Sequence, residues 1–183
     1  MSNHHPLKKL GDIAHIEMGQ SPASAYVHDR LDRGVPFLQG CAEFGASSPI
    51  PKKSCSGPAK IGLAGSSLIS VRAPVGALNK ADQNYVIGRG LAAVSAKTGT
   101  YQPYLNFALE WASKSLNRVA QGSTFEAIGN KELRNLEVSI PTEFTEQQGI
   151  ADVLSAMDEQ IEATNVEIEK LNMQRQGLAT SLL

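Results

Sequence analysis

The clearest pattern along the chain is an apolar repeat of seven residues near its end. Ile150, Met157, Thr164, Leu171 and Leu178 form one series, and Leu154, Ile161, Ile168, Arg175 and Leu182 form the other. These are the d and a positions of one heptad register. Eight of the ten are apolar, and Glu159, Glu162, Glu167, Glu169 and Lys170 fall outside the seam. That spacing predicts a coiled-coil helix. Thr145 and Gln148 have the capping-box spacing and Pro141 closes the segment before them, so the helix is expected to start near residue 145. At about 1.5 Å per residue, some 38 residues make a rod of roughly 57 Å, longer than so small a domain needs for its own core. The stripe therefore asks for a partner helix; the competing expectation is a long helix packed on its own domain. Thr164 and Arg175 interrupt the seam. Such polar residues either set register and orientation or, for Arg175 near a fraying end, snorkel to water.

Ahead of this helix the pattern is mixed and mostly extended. Strand candidates are 13–18, 35–39, 68–71, 85–87, 91–94 and 137–140, punctuated throughout by Gly and Pro. The stretch from Ala42 to Gly65, rich in Ser, Pro, Gly and Lys, has no period and reads as a long loop or irregular meander. Gly88-Arg89-Gly90 lies between two strand candidates and reads as a hairpin turn. One amphipathic helix interrupts the strands, with Pro103 in its first turn and Leu105, Ala108, Leu109, Ala112 and Leu116 on one face. A second, short helix is expected at 130–136. The expected architecture is α+β: a β-rich irregular globular domain, residues 1–142, followed by a long C-terminal coiled-coil helix, residues 143–183.

Charge divides along the same boundary. Residues 1–142 carry 15 Lys and Arg against 10 Asp and Glu, whereas residues 143–183 carry 2 against 8. The basic body is compatible with a polyanionic partner, although such a balance also occurs in proteins that never meet one. The apolar runs are short and the first nine residues are polar, so neither a membrane span nor a signal peptide is expected, and the expected location is the cytoplasm. Cys41 and Cys55 are too few for a disulfide framework and lack the spacing of a zinc site, so they read as reduced thiols and no metal is expected.

A search for catalytic constellations finds none with a local signature. A base-methylating enzyme needs a Gly-rich cofactor loop opening a helix and an Asn/Asp-Pro-Pro-aromatic segment; Asn84-Tyr85 lacks the prolines. A nuclease needs clustered carboxylates, whereas Asp82 near Lys80 and Glu126 near Lys131 are scattered. A Cys–His pair drawn from Cys41, Cys55, His15 and His28 stays open, since such residues meet only in three dimensions. What the body does offer is polar loop chemistry suited to nucleic acid: Gln20, Ser21, Gln39, Lys52, Lys53, Lys60, Arg72, Arg89, Ser123 and Thr124. Arg and Lys address guanine edges or phosphates, Gln pairs with adenine, and hydroxyls bind phosphates.

Residues 121–161 carry a resemblance that bears on these candidates. Gln121-Gly122-Ser123-Thr124 leads through Leu133-Arg134-Asn135-Leu136 to Ile140-Pro141, then Glu146-Gln147-Gln148, Ile150-Ala151, Leu154, Asp158 and Ile161. This succession is similar, in order and spacing, to the junction between a target-recognition domain and the conserved helical region of the specificity subunits of type I restriction-modification systems. Leu7 to Asp12 resembles the usual opening strand, Gly34 to Gly40 a common early segment, and the stretch from Gln176 to Leu183 the usual end of a conserved region. The resemblance implies a non-catalytic reader of double-stranded DNA that addresses one half of a split target. In the family two such units stand in tandem with their helices packed antiparallel; here there is one, either half of a longer protein or a half-subunit pairing with its own copy. Methyltransferase and restriction subunits are then the implied partners, and S-adenosylmethionine, ATP and Mg²⁺ belong to them, leaving no cofactor for this chain. The alternative is a coiled-coil adaptor that assembles proteins without reading DNA.

Overall fold

The computed structural model describes the backbone of residues 5–122 and 127–182 and the side chains of 5–114 and 127–180. The order of elements is β1 (Leu7–Lys9), α1 (Leu10–Ile13), β2 (Ala14–Met18), β3 (Val27–His28), β4 (Val35–Leu38), β5 (Lys53–Cys55), β6 (Ile61–Gly62), β7 (Ser67–Ser70), β8 (Leu78–Lys80), β9 (Tyr85–Ile87), β10 (Leu91–Ala96), α2 (Gln102–Gly122), α3 (Asn130–Arg134), β11 (Glu137–Ser139) and α4 (Phe144–Leu182). The fold is α+β, a sheet-rich body followed by one long helix.

Two larger sheets, ordered β2-β10-β7-β8 and β3-β5-β4-β9-β6, form most of the body, beside the two-stranded pair β1-β11. Strand β10 explains how they pack. Its Ala92 and Val94 join the cluster built with Leu105 and Leu109 of α2, while Leu91 and Ala93 join Leu38, Tyr85 and Ile87 of the five-stranded sheet. Alternate side chains of a strand point to opposite faces, so β10 is buried on both. It therefore reads in sequence as the continuous apolar run Leu91-Ala-Ala-Val94 rather than as an alternation. The layers run from α2 through the four-stranded sheet to the five-stranded sheet.

Several expectations need correction. Strands β5 and β6 lie inside the stretch expected to be irregular, and a 3₁₀ turn at Cys41–Glu43 overlaps its start. Each strand has only two or three residues, too short to show a period. Strands β9 and β10 belong to different sheets, so Gly88-Arg89-Gly90 is no hairpin loop. It is a tight turn, with Leu91 N–H donating to Gly88 O at 3.0 Å, that carries the chain from one sheet to the other. The opening segment is a strand only as far as Lys9 and turns into α1, and α3 stops at Arg134, two residues before the expected end. Helix α4 starts at Phe144, which places Thr145 inside its first turn.

β1 and β11 pair antiparallel, Leu7 opposite Ser139, and tie the start of the chain to the segment that leads into α4. Ile150 packs against the core and Ala151 is fully buried. From Ala156 to Thr180 every residue is exposed, so about 37 Å of helix stands clear of the body. The seam residues Met157, Ile161, Ile168, Leu171 and Leu178 are each at least half exposed, while Leu154 is half-buried. The expectation of a helix lying along its own domain is thereby excluded for this stretch. Thr164, at a d position, donates its hydroxyl to Gln160 O at 2.8 Å and so satisfies itself within the helix. Arg175 is exposed, and the Leu182 side chain lies outside the described residues. No helix among the described residues is long and apolar enough to cross a membrane.

Candidate nucleic-acid interface

The register of the five-stranded sheet decides where the loop candidates sit. β4 and β9 run parallel, so both leave the sheet at the same end, where Gln39 follows β4 and Arg89 follows β9. β5 is antiparallel to β4 and β6 antiparallel to β9, so both enter at that end, preceded by Lys52 and by Lys60. Lys53 is the first residue of β5. Five candidates separated by up to 50 positions in sequence thus share one sheet end, in the order Lys52/Lys53, Gln39, Arg89, Lys60.

Gln20 and Arg72 reach the same place from the other sheet, through main-chain bonds. Gly19 N–H donates to Leu91 O at 2.9 Å and Gln20 N–H to Ile87 O at 3.0 Å, while Val71 N–H donates to Gly90 O at 2.9 Å and Gly88 N–H to Leu38 O at 2.7 Å. Backbones can cross this closely only where Cβ atoms are missing. A Cβ on Gly19 would collide with the Gly88 carbonyl oxygen, one on Gly88 would stand 3.0 Å from the Cα of Gln39, and one on Gly90 2.8 Å from its carbonyl oxygen. The need here is for space rather than for an unusual backbone angle, since none of the three has positive φ.

The side chains above this crossing differ in what they are free to do. Gln20, Ser21, Gln39, Lys52, Lys53, Lys60, Arg72 and Arg89 are all exposed. Lys53 Nζ lies 2.9 Å from Asp29 Oδ1 and Lys60 Nζ 2.8 Å from Glu17 Oε1, so these two cations are already paired with exposed carboxylates. Gln39, Arg72 and Arg89 border one open concavity of about 330 Å³, together with Gly40, Ala42, Glu43 and Gly90. Glu43, which no local pattern singles out, accepts the Gly40 N–H at 3.2 Å and lines the same hollow. Ser123 and Thr124 lie outside the described residues.

Cys55 and His28 have structural partners. The Cys55 thiol donates to Gly57 O at 3.8 Å and His28 Nε2 lies 2.9 Å from Ser56 Oγ, so these two side chains do not pair with each other. Cys41 and Cys55 are both free thiols. Among the described residues no three His, Cys, Asp or Glu side chains are placed to hold a metal ion.

Comparison with known proteins bears on what such a surface does. Residues 6–173 match the family model for the type I restriction modification DNA specificity domain. The provisionally named type I restriction enzyme MjaX specificity subunit of Methanocaldococcus jannaschii is 37% identical over 92% of this chain and 39% of its own. A solved structure of the HsdS subunit from Thermoanaerobacter tengcongensis matches with a TM-score of 0.76 and 35% identity, covering 89% of this chain and 39% of that one. A second, from work on complex assembly and conformational transition of the type I R-M system, matches with a TM-score of 0.78 and 36% identity over 89% of this chain and 40% of that one. The chain thus spans about two fifths of the length of these relatives.

Proposed function

The chain belongs to the type I restriction modification DNA specificity domain family, and on that premise we propose that it is a sequence-specific reader of double-stranded DNA. The observation that carries this reading is the sheet end, where Lys52, Lys53, Gln39, Arg89 and Lys60 form a row joined by Gln20 and Arg72. Cations and amides on a scaffold of short, hydrogen-bonded strands present donors to phosphates and base edges at fixed spacing. The body reads one half of a bipartite target, and α4 holds it at a set distance from a second reader, supplied by another copy of this chain or by a further segment of a longer one. Methyltransferase and restriction subunits are recruited to the assembly. They carry the chemistry and its cofactors, and this chain is not itself catalytic.

Duplex affinity measured against salt concentration tests the reading. If Lys52 neutralises a phosphate and Lys53 and Lys60 exchange Asp29 and Glu17 for phosphates, log affinity falls linearly with log salt with a slope of about −3. The competing reading, a coiled-coil adaptor that assembles proteins without DNA, rests on the exposed seam of α4 and predicts no duplex affinity at any salt. Absence of binding at low ionic strength would decide for the adaptor.

A further inference from the structure

The hollow between Arg72, Arg89 and Glu43 differs chemically from the lysine row around it. A phosphate offers only anionic acceptors, and a carboxylate on the wall opposes it. Glu43 is such a wall, and its place is fixed because its Oε2 holds the Gly40 N–H at 3.2 Å. A base edge instead presents donors beside acceptors. In the major groove a G·C pair shows the two acceptors of guanine, N7 and O6, next to the amino donor of cytosine; an arginine fork matches the first and a carboxylate the second. Arg72 and Arg89 supply the forks, and neither has a side-chain hydrogen bond or ion pair among the described residues. Arg89 also stands at the middle of the sheet end, on a turn whose two glycines are buried against the Gln39 backbone.

The flanks fit the same geometry. From β5 through β4 and β9 to β6 are three strand spacings, about 14 Å in all, so Lys52 and Lys60 begin on either side of Gln39 and Arg89 at a separation close to the roughly 12 Å width of the major groove. Cations on the flanks address the two phosphate rims while the centre faces the base edges. We infer that Arg89 and Glu43 are specificity-determining residues that read one G·C pair in the major groove, Arg89 on guanine and Glu43 on the cytosine amino group. Lys52, and Lys60 once it exchanges Glu17 for a phosphate, only grip the backbone. This rests on the DNA-reading function proposed above and assigns its parts.

The experiment selects duplexes from a pool randomised at its centre, using the full chain at low salt, and repeats the selection with Arg89→Ala, Glu43→Gln and Lys52→Ala. Glutamine keeps an oxygen for the Gly40 N–H, so that variant retains its fold. The parent enriches a G·C pair at one position. Arg89→Ala loses preference there by about tenfold to a hundredfold and keeps the rest of the site, Glu43→Gln weakens discrimination at the same position, and Lys52→Ala weakens all sequences alike and flattens the salt slope by about one. Uniform weakening by Arg89→Ala, or bound duplexes with no G·C preference, would overturn the assignment while leaving a DNA-binding protein. A parent that binds no duplex overturns the proposed function and this inference with it.

Discussion

The side-chain oxygen of Gln147 accepts the backbone N–H of Tyr101 at 2.8 Å, joining the first turn of α4 to the loop ahead of α2. The amide nitrogen donates to Gly99 O at 3.2 Å and to Pro141 O at 3.0 Å, and Phe144 meets the Tyr101 ring edge-on at 5.5 Å between centroids. Only 1% of Gln147 is exposed, so water is not at hand to replace these bonds. Gln147→Leu strands one donor and two acceptors and is expected to cost at least about 2 kcal/mol. The urea midpoint should fall with the slope unchanged. A loss below about 0.5 kcal/mol, the range of an ordinary surface change, would mean that packing alone holds the junction.

The exposed seam of α4 predicts self-association. Covering each Leu or Ile contributes about 1.5–3 kcal/mol, so replacing Ile161 and Ile168 together by Glu should yield monomers with an intact body. Sedimentation of the parent and the double variant, with circular dichroism as the folding control, checks this. A parent that is monomeric at high micromolar concentration would count against it.

Arg175 is exposed at an a position. If it fixes orientation, Arg175→Leu should tighten the pair and admit a second orientation, visible as new products when cysteines placed at the two ends of α4 are cross-linked. One unchanged orientation would leave Arg175 as a solvated residue near the helix end.

Two glycines should respond in opposite ways. Gly19→Ala drives a methyl into the Gly88 carbonyl and is expected to destabilise by about 3 kcal/mol or more, beyond the usual cost of overpacking. A Cβ on Gly177, inside α4, meets nothing within 4 Å, so Gly177→Ala should stabilise the helix by up to about 1 kcal/mol. Equal effects in thermal melts would contradict the crossing described above.

Tyr85 makes stability fall in alkali. Burial, reinforced by the hydrogen bond from its hydroxyl to Asp82 Oδ1 at 2.6 Å, pushes its phenol up to about 12. The folded chain keeps a proton that the unfolded chain releases near pH 10, so this contribution is whole below pH 10 and is lost as pH rises through about 12. Tyr85→Phe should remove that part of the alkaline slope and, by leaving Asp82 without its donor, cost about 1 kcal/mol at neutral pH. Denaturation midpoints for both proteins across this range are the check.

The parts legible in the sequence were those with a long period or a long apolar run. Ten heptad positions marked α4 and the continuous apolar run across 91–94 marked β10, whereas the two-residue strands β3 and β6 are held by partners far away in sequence and leave no local trace. The loop candidates were chosen by residue type alone. That Gln39, Lys52, Lys60 and Arg89 share a sheet end follows from strand register, which no local pattern encodes. Glu43 escaped notice because an acid argues against DNA until its neighbours are known. Gln147 was visible as part of a resemblance, but two of its three side-chain hydrogen bonds depend on Gly99 and Tyr101, more than 40 residues away.

The crossing at Gly19, Gly88 and Gly90 is held by main-chain bonds, and none of them uses the side chain of Gln20, Gln39, Arg72 or Arg89. Exchanging one of these exposed side chains therefore leaves the scaffold standing, at a cost in folding within about 0.5 kcal/mol. A lineage of such chains can move from one target to another by single point changes and remain folded at every step, so that selection acts on what is bound rather than on whether the protein survives the change.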